Sequence, residues 1–119
     1  MNAEIKAKWV AALRSGEYRQ STRRVLSDGD GGWCCLGVLC DLYAKETGAA
    51  WQPLADGMAL PSGGLYYPPA YVREWARFHE DSQPVSIGGA RASVAVHNDG
   101  VSIPGRTFAE IADAIEEQL

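Results

Sequence analysis

Trp33-Cys34-Cys35-Leu36-Gly37-Val38-Leu39-Cys40-Asp41-Leu42-Tyr43 gathers apolar and reactive side chains into one run, and the fold turns on how that run is read. It contains all three cysteines of the chain. Leu36, Leu39, Cys40 and Tyr43 recur at i, i+3, i+4 and i+7, and Cys35, Val38 and Leu42 fill the flank. That spacing predicts a helix buried on most of its sides. Polar character returns only with Asp41, then Lys45 and Glu46, so the remaining elements are expected to pack around this segment.

Toward the N-terminus, Ile5, Trp9, Ala12 and Leu13 share one helical face, Asn2 is a capping residue and Gly16 a stop. Residues 18–26 alternate poorly, and a strand is expected only from Arg24 to Ser27. Asp28-Gly29-Asp30-Gly31-Gly32 is a turn. Its likeness to a calcium loop fails, because Gly32 and Leu39 stand where a hard cation requires oxygen ligands.

Toward the C-terminus, Gly48 ends the central helix, and Ala49 to Pro68 reads as a long irregular connection carrying Trp51, Tyr66 and Tyr67. Pro68-Pro69 opens a helix with Val72, Trp75, Ala76 and His79 on one face. In the segment from Ser82 to Gly89, Pro84-Val85-Ser86-Ile87 is a strand candidate and Gly88-Gly89 a turn; Ser93 to His97 reads as a further strand, with a short helical turn as the alternative, closed by Asn98-Asp99-Gly100. Thr107 with Glu110 three residues later is a capping box, and Phe108, Ile111, Ala112, Ile115 and Leu119 form the stripe of a final helix. The expected architecture is a single domain over residues 1–119 of α+β class. Three or four helices, the Cys-containing one at their centre, would pack on a small antiparallel sheet formed near residues 24–34 and 84–97.

A chain of 119 residues with 46% hydrophobic and 22% charged side chains has the composition of an ordinary globule with one core. A net charge of -4 without any Lys or Arg run excludes general nucleic-acid and anionic-membrane binding. No run approaches the ~18 apolar residues of a membrane span, and the start lacks the pattern of a signal peptide, so a cytoplasmic setting is expected. Three cysteines, two of them adjacent, do not make a disulfide framework, and reduced thiols follow.

The chemistry these residues can carry is limited by spacing. Cys35 and Cys40 lie about 140° apart around a helix, and Cys34 and Cys35 point in different directions, so no metal or other cofactor is expected. A thiol where a turn enters a helix is better placed as a nucleophile, since a helix N-terminus stabilises the thiolate. Cys35 or Cys34 is the candidate nucleophile, and His97 or His79 the candidate base. Against this stands the ordinary behaviour of such cysteines as small buried hydrophobes. The loop aromatics Trp51, Tyr66 and Tyr67 are candidates for stacking on a ligand ring, with Arg23, Arg24 and Arg91 as anion contacts. For each, sealing the core edge or solvated charge is the structural alternative.

Lys8 to Tyr18, Cys34 to Leu42, and Asn98-Asp99-Gly100 followed by Phe108 to Glu116 together resemble an uncharacterised family of small bacteriophage and prophage proteins. The resemblance implies a viral accessory protein in the cytoplasm of a bacterial host, acting by binding a host protein or a small nucleotide and so inhibiting a host defence component. Cys35-Leu36-Gly37-Val38-Leu39 with Tyr43 is also similar to the nucleophile helix of papain-like cell-wall peptidases, which implies a cysteine-dependent hydrolase. Those enzymes place their His at the head of an apolar strand, whereas His97 follows Val96 and precedes Asn98-Asp99. A small structural or dimerisation module, a homo-oligomer, is the third reading.

Overall fold

The computed structural model describes residues 1–79 and 83–119. Glu80 and Asp81, the acidic neighbours of His79, and Ser82, the expected start of the segment before Gly89, lie outside the described residues. Helix α1 (Ala3–Arg14) starts where the Asn2 side chain accepts from the Ile5 N–H at 3.0 Å, and it buries Ile5, Trp9, Val10 and Leu13. Strand β1 (Arg19–Gln20) runs parallel to β2 (Gly32–Trp33). The central helix α2 (Cys35–Thr47) is capped by Cys34 and ends at Gly48 in the left-handed region. A short antiparallel hairpin follows, β3 (Gln52–Leu54) with β4 (Gly57–Ala59). Ser27 bridges to both Trp33 and Met58, which joins the two strand pairs edge to edge. Helix α3 (Ala70–Ala76) leads to a second hairpin, β5 (Val85–Ile87) and β6 (Ala90–Ala92), then to α4 (Val94–Asp99) and α5 (Phe108–Gln118).

The core forms around α2 because that helix has apolar side chains on most of its circumference. Cys35, Leu36, Val38, Leu39 and Cys40 are wholly buried, against α1 on one side and α4 on another. Trp9 of α1 donates its indole N–H to the Cys35 carbonyl at 2.9 Å and meets Phe78 edge-on at 5.4 Å, so the largest core ring is also hydrogen-bonded. Gly37 allows the closest approach. The Leu26 carbonyl lies against it, where a β-carbon would overlap that oxygen, and the same carbonyl accepts from the Cys34 N–H at 3.2 Å. The strand segment and the start of α2 can therefore lie this close only because residue 37 has no side chain.

The α+β class and the central buried helix are as the sequence predicts, with the Asn2 cap, the Gly48 stop and the Thr107–Glu110 capping box in place. Five helices form among the described residues instead of three or four, because residues 94–99 are helical and not a strand. Ser93 caps that helix by accepting from the Val96 N–H, and Gly100 ends it at φ 73°. The two expected halves of one sheet are separate: the 85–92 hairpin pairs with itself, while residues 27 and 32–33 pair with 19–20 and 58. Arg24 adopts φ 63° and breaks the strand expected from Arg24 to Ser27. Residues 49–68 contain the β3–β4 hairpin, and α3 stops at Ala76, before His79, with Arg77 left-handed.

Replacing Gly37 with Ala is expected to destabilise the fold by about 3 kcal/mol or more, since backbone on both sides must move. Gly64→Ala, where a methyl meets open space, is expected to leave the urea midpoint nearly unchanged. A second expectation concerns acid. Asp28 accepts from the Asp30 and Gly32 N–H groups, each at 2.8 Å, and these bonds hold its carboxyl below the usual carboxylate value. A depressed folded-state value contributes stability that is complete above the unfolded value and is lost as pH falls through the folded one. Urea unfolding should therefore show wild type more stable than Asp28→Asn at neutral pH, with the difference shrinking on acidification.

Candidate functional site

The three thiols are used by the fold. Cys34 Sγ accepts from the Gly37 N–H at 3.3 Å, doing for the start of α2 what a Ser or Asp oxygen usually does. Cys35 Sγ lies 3.5 Å from the Val94 carbonyl, as a thiol donor. Burial pushes the Cys40 thiol well up, which keeps it protonated. His97 is buried too, with Nε2 3.0 Å from the Val85 carbonyl, so its ring joins α4 to β5. His79 is exposed beyond the end of α3, and its N–H donates to the Gln83 side chain at 3.0 Å. Among the described residues no group of three or more His, Cys, Asp or Glu side chains is placed to hold a metal ion. Iodoacetamide should label all three cysteines slowly in the native protein at neutral pH and quickly in denaturant; rapid native labelling of Cys34 or Cys35 would restore the hydrolase reading.

Beside Cys35 lies a buried polar network that holds α4. The Asn98 carbonyl accepts from the Cys35 N–H at 3.2 Å and from Gln20 Nε2 at 3.0 Å. Its amide donates to the Ser21 carbonyl at 2.9 Å and to Asp99 Oδ1 at 3.0 Å. Gln20 continues the chain, donating to the Arg106 carbonyl at 2.8 Å and accepting from the Phe108 N–H at 3.1 Å. Asn98-Asp99-Gly100 is therefore more than a turn signal. It fixes α4 against β1, α2 and the start of α5.

A cleft opens on the outer side of α4. It encloses about 490 Å³ and is lined by Arg24, Tyr66, Tyr67, Ser93, Val96 and Asp99, with Ala95 and Val101. Its two walls are held by hydrogen bonds. On one side the Leu26 N–H donates to the Leu65 carbonyl at 3.0 Å, which sets Tyr66 and Tyr67 next to Arg24, and the buried Pro68 and Pro69 anchor the loop behind them. On the other side Asn98 holds α4 and hence Asp99. Tyr66 is 57% and Tyr67 67% exposed, the largest exposures among the big apolar side chains, so neither ring seals the core. Burial lifts the Asp99 carboxyl above its ordinary value; the Asn98 amide and the nearby Arg24 charge offset part of that rise.

Three of the six sequence-predicted ligand contacts, Arg24, Tyr66 and Tyr67, meet here. The others lie elsewhere. Trp51 stacks edge-on to Trp33 at 5.2 Å and donates to Asp41 at 2.9 Å, which makes it a core-edge residue. Arg23 pairs with Asp30 at 3.7 Å, beside the β3–β4 hairpin. Arg91 stands on β6 and donates to the Ser86 hydroxyl at 3.3 Å. Asp99, Ser93 and Val96 escape sequence reasoning, because their arrival opposite Tyr66 depends on residues 93–99 being helical. The available signals were the Ser93 cap and the Gly100 stop.

Other hollows offer fewer unengaged groups. In the groove of about 390 Å³ along α1, Arg14 is committed to Asp113 at 2.6 Å and Glu116 at 3.0 Å, and those bonds hold its guanidinium charged. The hollow by the β3–β4 turn contains Asp28, whose carboxylate the backbone already occupies. Among the described residues no helix is long and apolar enough to cross a membrane. Fold and site together define a small α+β protein with an aromatic-walled cleft bearing both charges. A family model described as "Domain of unknown function (DUF8296)" matches residues 1–119, and the chain belongs to that family. No curated protein and no solved structure matches it.

Proposed function

We propose that this chain is an accessory protein of phage or prophage origin that acts by binding, without turnover, and that it sequesters a small nucleotide signal of a bacterial host in the Arg24–Tyr66–Tyr67–Asp99 cleft. The observation that carries the reading is the pair of adjacent exposed tyrosines, held by a pinned backbone beside Arg24. Exposed rings at a concave surface suit a planar base, which any aromatic face can stack. Arg24 supplies a planar, permanently charged donor for phosphate. A volume of about 490 Å³ suits a mononucleotide or a small cyclic nucleotide. The overall charge of -4 disfavours long polyanions, so the single cation in the cleft selects a short anion over a nucleic acid. The resemblance to phage proteins supplies the setting, a bacterial cytoplasm in which such signals carry defence responses.

Isothermal titration of the full chain against nucleoside monophosphates and cyclic mono- and dinucleotides tests this. Saturable binding of at least one of them is expected, with the ligand recovered unchanged by chromatography. Tyr66→Ala and Tyr67→Ala are each expected to weaken it roughly tenfold while leaving the melting temperature in place, because both rings are exposed. Absence of binding across the panel, or conversion of the ligand, would remove the proposal.

A further inference from the structure

We propose that the base held in this cleft is guanine, read by the Asp99 carboxylate through the guanine N1–H and exocyclic amino group. The inference rests on the nucleotide reading above and adds the identity of the base. Asp99 is the acceptor side chain that the cleft presents together with the two tyrosines. Its Oδ1 already accepts from the Asn98 amide at 3.0 Å, and Asn98 is itself fixed by three further hydrogen bonds, so the carboxylate has a defined orientation before ligand arrives. Each carboxylate oxygen has two acceptor sites, which leaves one on Oδ1 and both on Oδ2.

A planar pair of acceptors matches an edge with two parallel donors. Guanine has one, N1–H beside the N2 amino group. Adenine presents an amino group beside the unprotonated N1, and cytosine an amino group beside the unprotonated N3; either lone pair would face the carboxylate. Uracil flanks its single N–H with carbonyls. Because Asp99 is partly desolvated, a mismatched lone pair would cost more there than in water. Arg24 acts on Asp99 through space instead of through a hydrogen bond, so its donors remain for a phosphate. The cleft thus carries a ring-stacking wall, an acceptor for one base edge and a cation, in the combination that a guanine nucleotide requires.

The test is titration of the full chain with GMP, AMP, IMP and XMP, on wild type and Asp99→Asn. The amide keeps an oxygen for Asn98 while placing a donor where the second acceptor was, so the variant should fold, and circular dichroism verifies that it does. Wild type should bind GMP roughly tenfold more tightly than AMP, with IMP between them for lack of the amino group. Asp99→Asn should lose that preference and favour XMP, whose C2 carbonyl replaces the amino group. Tyr67→Ala should weaken all four nucleotides by a similar factor. Equal binding of GMP and AMP by wild type would overturn the guanine assignment while leaving the nucleotide cleft standing. Binding of none of the four, nor of cyclic guanine nucleotides, would overturn the guanine assignment, and the nucleotide reading falls with it if the wider panel of monophosphates and cyclic nucleotides is not bound either.

Discussion

The side-chain amide of Asn98 is the constraint on which the rest of this structure depends. It is wholly buried, and all four of its hydrogen-bonding capacities are used, by Cys35, Gln20, Ser21 and Asp99. Leaving a buried donor or acceptor without a partner costs roughly 1–3 kcal/mol per group. Displacing α4 would therefore strand groups on two separate segments at once: the first N–H of α2, and the end of β1 with the Ser21 carbonyl that follows it. The network also explains how a short helix keeps its place. Six residues are too few to be stable alone, so α4 holds its shape through this contact and through its Ser93 and Gly100 ends.

The same economy shows in the cysteines. Two of the three thiols stand where a helix N-terminus would favour a thiolate, yet the geometry uses them as a cap and as a donor to a carbonyl. Cys34 replaces the usual capping oxygen with a larger and weaker acceptor. Sulfur fits there because the position is only 5% exposed and flanked by core side chains; a carboxylate in its place would need solvation that the site does not provide. Cys35 is packed between α2 and the first turn of α4, against the carbonyl of Val94. In the Cys-x-Gly start of α2, Gly37 serves the Leu26 carbonyl, a requirement of packing.

Much of this was legible in the sequence where one element decides its own fate. The helix from Cys35 and the final helix read correctly because their apolar period is long and their caps are explicit. Residues 93–97 misled because Val-Ala-Val over so short a span alternates as a strand would, and the Ser93 cap, the Gly100 stop and the tertiary hydrogen bonds of Asn98 together settle it as helix. The hairpin inside residues 49–68 had a local sign, Asp56-Gly57, of the same kind as Asp28-Gly29. Trp51 and Tyr66 could not be told apart by sequence: both are aromatic residues in a Gly- and Pro-rich connection. What separates them is that Trp33 and Asp41 wait for Trp51 on the folded surface, whereas among the described residues no comparable aromatic cluster forms around Tyr66 or Tyr67.

That difference bears on why the cleft points to a ligand. Four other aromatic residues, Tyr18, Trp33, Tyr43 and Trp75, are each in edge contact with a neighbouring ring, and Tyr18 and Trp75 also hydrogen-bond to a carboxylate. A chain able to satisfy those rings internally has no packing reason to leave two adjacent tyrosines more than half exposed. Nor is their position loose, since the Leu65 carbonyl before them is hydrogen-bonded and the prolines after them are buried. A rigid, exposed aromatic pair facing an oriented carboxylate across a cleft has already met most of the ordering cost that binding imposes on flexible sites. On the proposed nucleotide the two charged groups of the cleft would act in opposite senses: Arg24 would attract the phosphate, and Asp99 would repel it unless the base offered donors in return. Selectivity would arise from that opposition, because a ligand lacking the donors meets the repulsion without compensation.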